Sequence, residues 1–250
     1  MPIISDPRER AARAQEKRHA LLRFLREEIY TTPKVAGTVM GVGERAARQT
    51  IAPMESAGLV RRWPIQLFDG LQTITVVGIT SLGQAHAFDP ATEKVIDRAF
   101  DPARFSVMFL QHTLDIQRLR IEATGSGLVK QWVNGDRLAA VKQGEKKPDA
   151  VCLTAYGVRI AIEAERSIKS PKRYAAIVEG HLTAMHQGKW QRVVWVFPDA
   201  NTMERVKAMV LGVSRVRIAG IDTLIDPSKH HGNHGNFRFC LYEMFTDCLV

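Results

Sequence analysis

At 250 residues, with 45% hydrophobic residues and a formal charge of +9, the chain is long enough for one large domain or two ordinary ones. Its basic balance suits a polyanion, nucleic acid first and an anionic membrane second. No apolar run approaches the roughly 20 residues of a spanning helix and the first residues are charged and polar, so a cytoplasmic protein without a membrane segment is expected. Cys152, Cys240 and Cys248 show no close pair, which argues against a disulfide scaffold or zinc ribbon and for reduced filler thiols.

Residues 7–29 open with arginines, alanines and glutamates and end with Leu21, Leu22, Leu25 and Ile29 at helical spacing. Only the second half has a core face, and the first half is a basic solvated arm. Thr32-Pro33 caps and starts a helix over 33–40, and Gly41-Val42-Gly43 stops it. A third helix, about 43–57, carries Ala46, Ala47, Ile51 and Met54, with Pro53 expected to bend or split it. Residues 59–63 and 71–78 read as strands joined around Phe68-Asp69-Gly70. Residues 87–102 are polar with two Asp-Pro breaks, so the domains are expected at 1–86 and 104–250, with a linker at 87–103.

A long helix over 104–123 is expected to place Val107, Met108, Leu110, Leu114 and Leu119 inside, and His112 on it reads as an ordinary helical histidine. A strand at 128–133 contains Trp132, and a Lys-rich turn at 142–147 leads into a hairpin. Beyond it come a helix at 171–187, a buried strand at 192–197, a helix at 202–211 and a strand at 215–219. This alternation predicts an α/β fold with a mixed sheet. The loop from Asp226 to Asn236 contains His230, His231 and His234; lacking a nearby cysteine or a second carboxylate, it reads as solvated and not as a metal site. Residues 237–245 are a last apolar strand or short helix.

The hairpin at 147–165 carries the chemistry. Asp149 precedes the apolar run 150–153, and Tyr156-Gly157 turns the chain into 158–164. A period of two puts Arg159, Ala161, Glu163 and Glu165 on one face. Asp149 on the neighbouring strand adds a third carboxylate, and like charges packed so closely call for a cation. Mg²⁺, or Mn²⁺, suits an all-oxygen donor set and phosphate chemistry. A solvated outer strand face carrying two acids is the alternative.

The segment from Thr32 to Gln84 resembles the winged helix-turn-helix domain of many bacterial DNA-binding proteins. That resemblance implies Glu44, Arg45, Arg48 and Gln49 on the recognition helix and Arg61, Arg62 and Trp63 on the wing, with protein contacts the alternative use. The later order of helix, strand, Pro148-Asp149, strand, Glu163-Ala-Glu165, helix and strand resembles the restriction-endonuclease-like αβββαβ core of the PD-(D/E)xK nucleases. With the winged helix in front, the helix from His112 to Arg120, Trp132, Glu163 to Ser167 and Lys172-Arg-Tyr174, the whole is similar to the replication-relaxation family, which includes plasmid mobilisation relaxases of the MobC type.

The resemblance implies a protein that binds double-stranded DNA at an origin-like site and nicks it in plasmid mobilisation or replication, alongside other transfer proteins. Asp149, Glu163 and Glu165 would hold the metal. One departure stands out: Glu165 occupies the place where the superfamily usually has lysine, so Lys169 or Lys172 would have to reach back. Lys169, Lys172 and Arg173 would also meet the DNA backbone, and Tyr174 reads as a packing or DNA-contact residue. A catalytically inactive DNA-binding accessory factor or regulator is the other reading.

Overall fold

The structure, a computed structural model, describes residues 6–67, 72–93, 97–139, 147–230 and 235–250. The turn around Phe68-Asp69-Gly70, most of the Lys-rich turn, and His231 and His234 lie outside the described residues. The chain divides into two compact units, Met1–Gln117 and Arg118–Val250.

The first unit begins with α1 (Pro7–Glu28), β1 (Tyr30–Thr31), α2 (Pro33–Val39) and α3 (Glu44–Ser56). It continues with β2 (Val60–Gln66), β3 (Thr73–Ile79) and α4 (Ser81–Ala87). Asp6, Thr32 and Thr80 cap α1, α2 and α4 by accepting backbone N–H groups of the first turns, and proline opens both α1 and α2. The three strands form an antiparallel sheet in the order β1-β3-β2, with Tyr30 opposite Gly78 and Val60 opposite Ile79. Leu21, Leu25, Ala36, Met40, Ala47, Ile51, Met54, Val77 and Ile79 fill the core between helices and sheet. Residues 7–20 of α1 stay exposed or half-buried, as the basic arm requires. Pro53 neither splits nor ends α3, which runs unbroken from Glu44 to Ser56.

The segment expected as a linker, 87–103, is fastened to this unit. Arg23 and Arg26 pair with Glu93, Gln84 donates its side-chain amide to the Arg98 carbonyl at 2.6 Å, and the Phe100 N–H donates to Ile79 O at 2.8 Å. Phe100 packs at 5.7 Å from the Tyr30 ring, so close to β3 that a Cβ on Gly78 would lie 2.2 Å from it. The units therefore divide within the next helix, α5 (Val107–Gly125), and not at 87–103. Gln117 on that helix is fully buried, accepting from the Thr31 hydroxyl at 2.7 Å and donating to Tyr30 O at 2.6 Å. Met108 is 75% exposed and not inside as expected, whereas Leu110, Leu114 and Leu119 are buried.

The second unit contains β4 (Val129–Asn134), β5 (Ala150–Thr154), β6 (Arg159–Ala164), α6 (Pro171–His186), β7 (Arg192–Phe197) and α7 (Ala200–Leu211). A small antiparallel hairpin, β8 (Arg215–Ile218) and β9 (Ile221–Leu224), is followed by α8 (Pro227–His230) and β10 (Phe237–Leu241). The main sheet has the order β10-β7-β6-β5-β4; β5 pairs antiparallel with both β4 and β6, while β6, β7 and β10 are mutually parallel. This is the α/β architecture with a mixed sheet that the alternation of elements predicts. Ala161, Val193, Trp195 and Phe197 face a core completed by Tyr174, Ile177, Val178 and Leu182 of α6 and Val206 and Val210 of α7. No helix among the described residues is long and apolar enough to cross a membrane.

Candidate functional site

The hairpin forms where the pattern places it. Gly157, at φ +83°, supplies the left-handed turn between β5 and β6, and the register sets Ala150 opposite Ile162 and Cys152 opposite Ile160. Strand β6 lies between β5 and β7, and its residues 160–164 are buried on both faces of the sheet, so the solvated-face alternative does not hold. Glu163 is 6% exposed and Glu165 4%. Burying two carboxylates without compensation is prohibitive, so the surroundings of each are the first question.

Glu163 meets α6. Its Oε1 lies 3.0 Å from Nε2 of His181, which is fully buried, with the rings of Trp190 and Trp195 set edge-on at 5.7 and 5.9 Å. The contact is a close approach of charge and imidazole, outside the alignment of a good hydrogen bond. Glu165, whose N–H donates to Val196 O at 2.9 Å, turns its carboxylate to Lys169, and the ammonium engages both oxygens. The Lys169 N–H donates to the Tyr174 hydroxyl at 3.1 Å. Burial, reinforced by the nearby Glu165 carboxylate, pushes the Tyr174 phenol up to about 12, so it stays protonated at neutral pH.

Asp149 is half-buried at the open end of the hairpin. Its N–H donates to Ile162 O at 3.0 Å, and its Oδ2 accepts the Ala164 N–H at 2.9 Å. The Asp149 carbonyl accepts the Gly135 N–H at 2.7 Å, and a Cβ on Gly135 would stand 2.2 Å from Pro148 O, so glycine is required there. Asp149, Glu163 and Glu165 thus share one end of the hairpin, where Lys169 engages Glu165, a backbone N–H donates to Asp149 and the His181 ring lies against Glu163. Among the described residues no three His, Cys, Asp or Glu side chains are grouped to hold a metal ion.

Of the lysines proposed to reach back, Lys169 does so; Lys172 and Arg173 are exposed on the first turn of α6. In the first unit, Arg45, Arg48 and Gln49 are exposed on α3, and Arg61 and Arg62 on the edge strand β2, beside Trp63 at 41% exposure. Two of the arginines are already occupied. Arg48 pairs with Glu44 at 2.6 Å one helical turn away, and Arg62 is held by Glu55 through both its guanidinium and its backbone N–H. Arg45 and Arg61 have no ion pair among the described residues.

His181 is the site residue that sequence reasoning missed. Its signal was present: Tyr174, Ile177, Val178, His181 and Leu182 recur at the 3-4 spacing of a buried helix face, so the imidazole had to enter the core opposite β6. Comparison with protein-family models, characterised proteins and solved structures finds no match for this chain.

Proposed function

We propose that the chain is a double-stranded DNA-binding protein serving the mobilisation or replication of a plasmid or integrative element, with a nuclease-like hairpin that is catalytically silent. The order α1-β1-α2-α3-β2-β3 with its three-stranded antiparallel sheet supports a winged helix-turn-helix reading of the first unit. In that reading α3 meets the major groove through Arg45 and Gln49, while Arg61 and Trp63 on β2 approach the backbone. The order α5-β4-β5-β6-α6-β7 supports an αβββαβ nuclease-like core in the second.

The observation that carries the silent reading is at Glu165, which stands in the place of the motif lysine: it is buried, and the Lys169 ammonium engages both of its carboxylate oxygens, while Glu163 is buried against the His181 ring and Asp149 accepts a backbone N–H. The oxygen donor set suits Mg²⁺ or Mn²⁺ chemically, but two of the three carboxylates are covered and both oxygens of Glu165 are taken by Lys169, so as arranged they do not fit a resident cation with open water positions. The second reading, metal-dependent nicking, is favoured by one feature: the Lys169 ammonium stands at the acids, where the lysine absent from position 165 would act.

One assay separates them. The purified protein is incubated with supercoiled origin-bearing plasmid and Mg²⁺ or Mn²⁺, beside Asp149→Ala and Glu163→Gln. Binding without relaxation of the plasmid is the expected result; nicking by the wild type that both substitutions abolish would replace this proposal with the nicking one. DNA affinity should fall with salt on a log-log slope of about −0.9 per phosphate contact, and Arg45→Ala with Arg61→Ala should flatten it by about two contacts.

A further inference from the structure

The second unit contains a pair of thiols that chain spacing concealed. Cys240 lies on β10, and the chain then reverses through two short 3-10 turns, Tyr242–Met244 and Thr246–Leu249, the second of which carries Cys248. Phe245 anchors the reversal: it is fully buried, with its ring edge-on to Trp132 at 6.4 Å. The Cys248 N–H donates to Phe245 O at 3.1 Å, and the Arg238 guanidinium donates to the carbonyls of Cys248, at 3.3 Å, and of Val250. Arg238 and Cys240 lie two residues apart on β10 and so share a face of the strand, and because the Arg238 guanidinium holds the Cys248 carbonyl the turn returns Cys248 to the Cys240 face, where the two free thiols interact.

The two sulfurs are not equivalent. Cys240 is 5% exposed, whereas Cys248 is half-buried and open to a small reagent. The hydrogen bond from Cys240, and after it the positive charge of Arg238 and Arg192, favours the thiolate at Cys248, against burial and the neighbouring Asp247. Cys240 keeps its proton, held by that same hydrogen bond and by burial. Cys152 offers the contrast. It is buried in the hairpin and burial pushes its thiol up to about 12, so it is inert.

We propose that Cys240 and Cys248 form a redox modification site, at which Cys248 is oxidised by a small hydroperoxide and Cys240 resolves the product to an intramolecular disulfide. In the first step the Cys248 sulfur attacks a peroxide oxygen. An S–O bond forms, the O–O bond breaks and hydroxide leaves, so sulfur is oxidised to the sulfenic acid and the peroxide is reduced. In the second step the Cys240 sulfur attacks the Cys248 sulfur: the S–S bond forms, the S–O bond breaks, and the departing hydroxide takes the Cys240 proton as water. Two thiols and one hydrogen peroxide become one disulfide and two waters, and a dithiol reductant reverses the change. The disulfide ties the edge strand β10 to the turn that Arg238 clamps.

The test uses the full chain with hydrogen peroxide, alkylation of remaining thiols, and peptide mapping before and after reduction. A peptide linking Cys240 to Cys248, with Cys152 still reduced, is the expected product. Cys248→Ser should slow thiol loss by at least about tenfold, whereas Cys240→Ser should leave the first step intact and trap a dimedone-reactive sulfenic acid at Cys248. Wild-type protein that forms no linked peptide while a free thiol in the same solution is consumed, or that oxidises first at Cys152, overturns the proposal. Because the linked peptide is read in the wild type, a variant that fails to fold does not remove the test.

Discussion

Replacing Lys169 with alanine leaves Glu165, whose side chain is 5% exposed, without its cation. Removing one partner of a fully buried ion pair costs about 3–5 kcal/mol, because the remaining charge is stranded in a low-dielectric site. Lys169 itself is 39% exposed, so water already screens part of the attraction and the expected loss is about half of that, roughly 2 kcal/mol. A loss of that size lowers the melting temperature of a unit this large by about 5–10 °C. Urea unfolding followed by tryptophan fluorescence reads it well, since Trp132, Trp190 and Trp195 all lie in this unit and Trp195 pairs directly with Glu163 across β6 and β7. The double substitution Glu165→Gln with Lys169→Met should regain most of the loss, because no charge is then stranded. A Lys169→Ala protein within about 0.5 kcal/mol of wild type would refute the reasoning. So would a double variant no more stable than the single one, which would put the loss in the packing of the lysine stem.

Glu55→Gln releases Arg62 from its carboxylate and should tighten DNA binding by about two- to fivefold, as measured by fluorescence anisotropy at fixed salt; unchanged affinity would mean that Arg62 does not face the duplex. The hydrogen bond from Arg23, helped by the Asp89 N–H, depresses Glu93 from its ordinary value to about 2. Its folded-state pKa lies below its unfolded one, so the first unit should hold this contribution above about pH 4.5 and lose it as pH falls towards 2, and Glu93→Gln should remove that acid-dependent part from a circular-dichroism titration. Gly135→Ala forces a methyl group to 2.2 Å from Pro148 O and should cost about 1–3 kcal/mol in urea unfolding, with the Asp149 loop displaced; a neutral substitution would show that this loop shifts freely.

Local signals served well where they were strong. The Thr-Pro start of α2, the period of two in β6 and the apolar runs of β5 and β7 each mark an element within a residue or two of its observed position. Met108 misled because it sits about 200° around the helix from Leu110, so its apolar character could not place it on the buried face. The polar stretch at 87–103 reads as a linker because its attachment rests on isolated anchors, Glu93, the Arg98 carbonyl and Phe100, whose partners lie outside the stretch. Strand β9 has exposed Ile221 and Leu224 around polar Asp222 and Thr223, with no apolar face for periodicity to reveal. At the candidate site the acids are legible and Lys169 is one of two lysines expected to reach back, but spacing alone could not choose between Lys169 and Lys172, and His181, hidden in the buried stripe of α6, gave no sign that it faces Glu163.

The parallel pairing of β7 with β10 also bears on how the chain is made. Val193 is joined to Phe237 only after α7, the β8–β9 hairpin and α8 have been synthesised. Until then β7, with Val193 to Phe197 all destined for full burial, presents an unprotected, strongly apolar edge beside β6. A nascent chain paused between α7 and β10 is therefore the species most exposed to misassembly, and the stage at which a chaperone has most to shield.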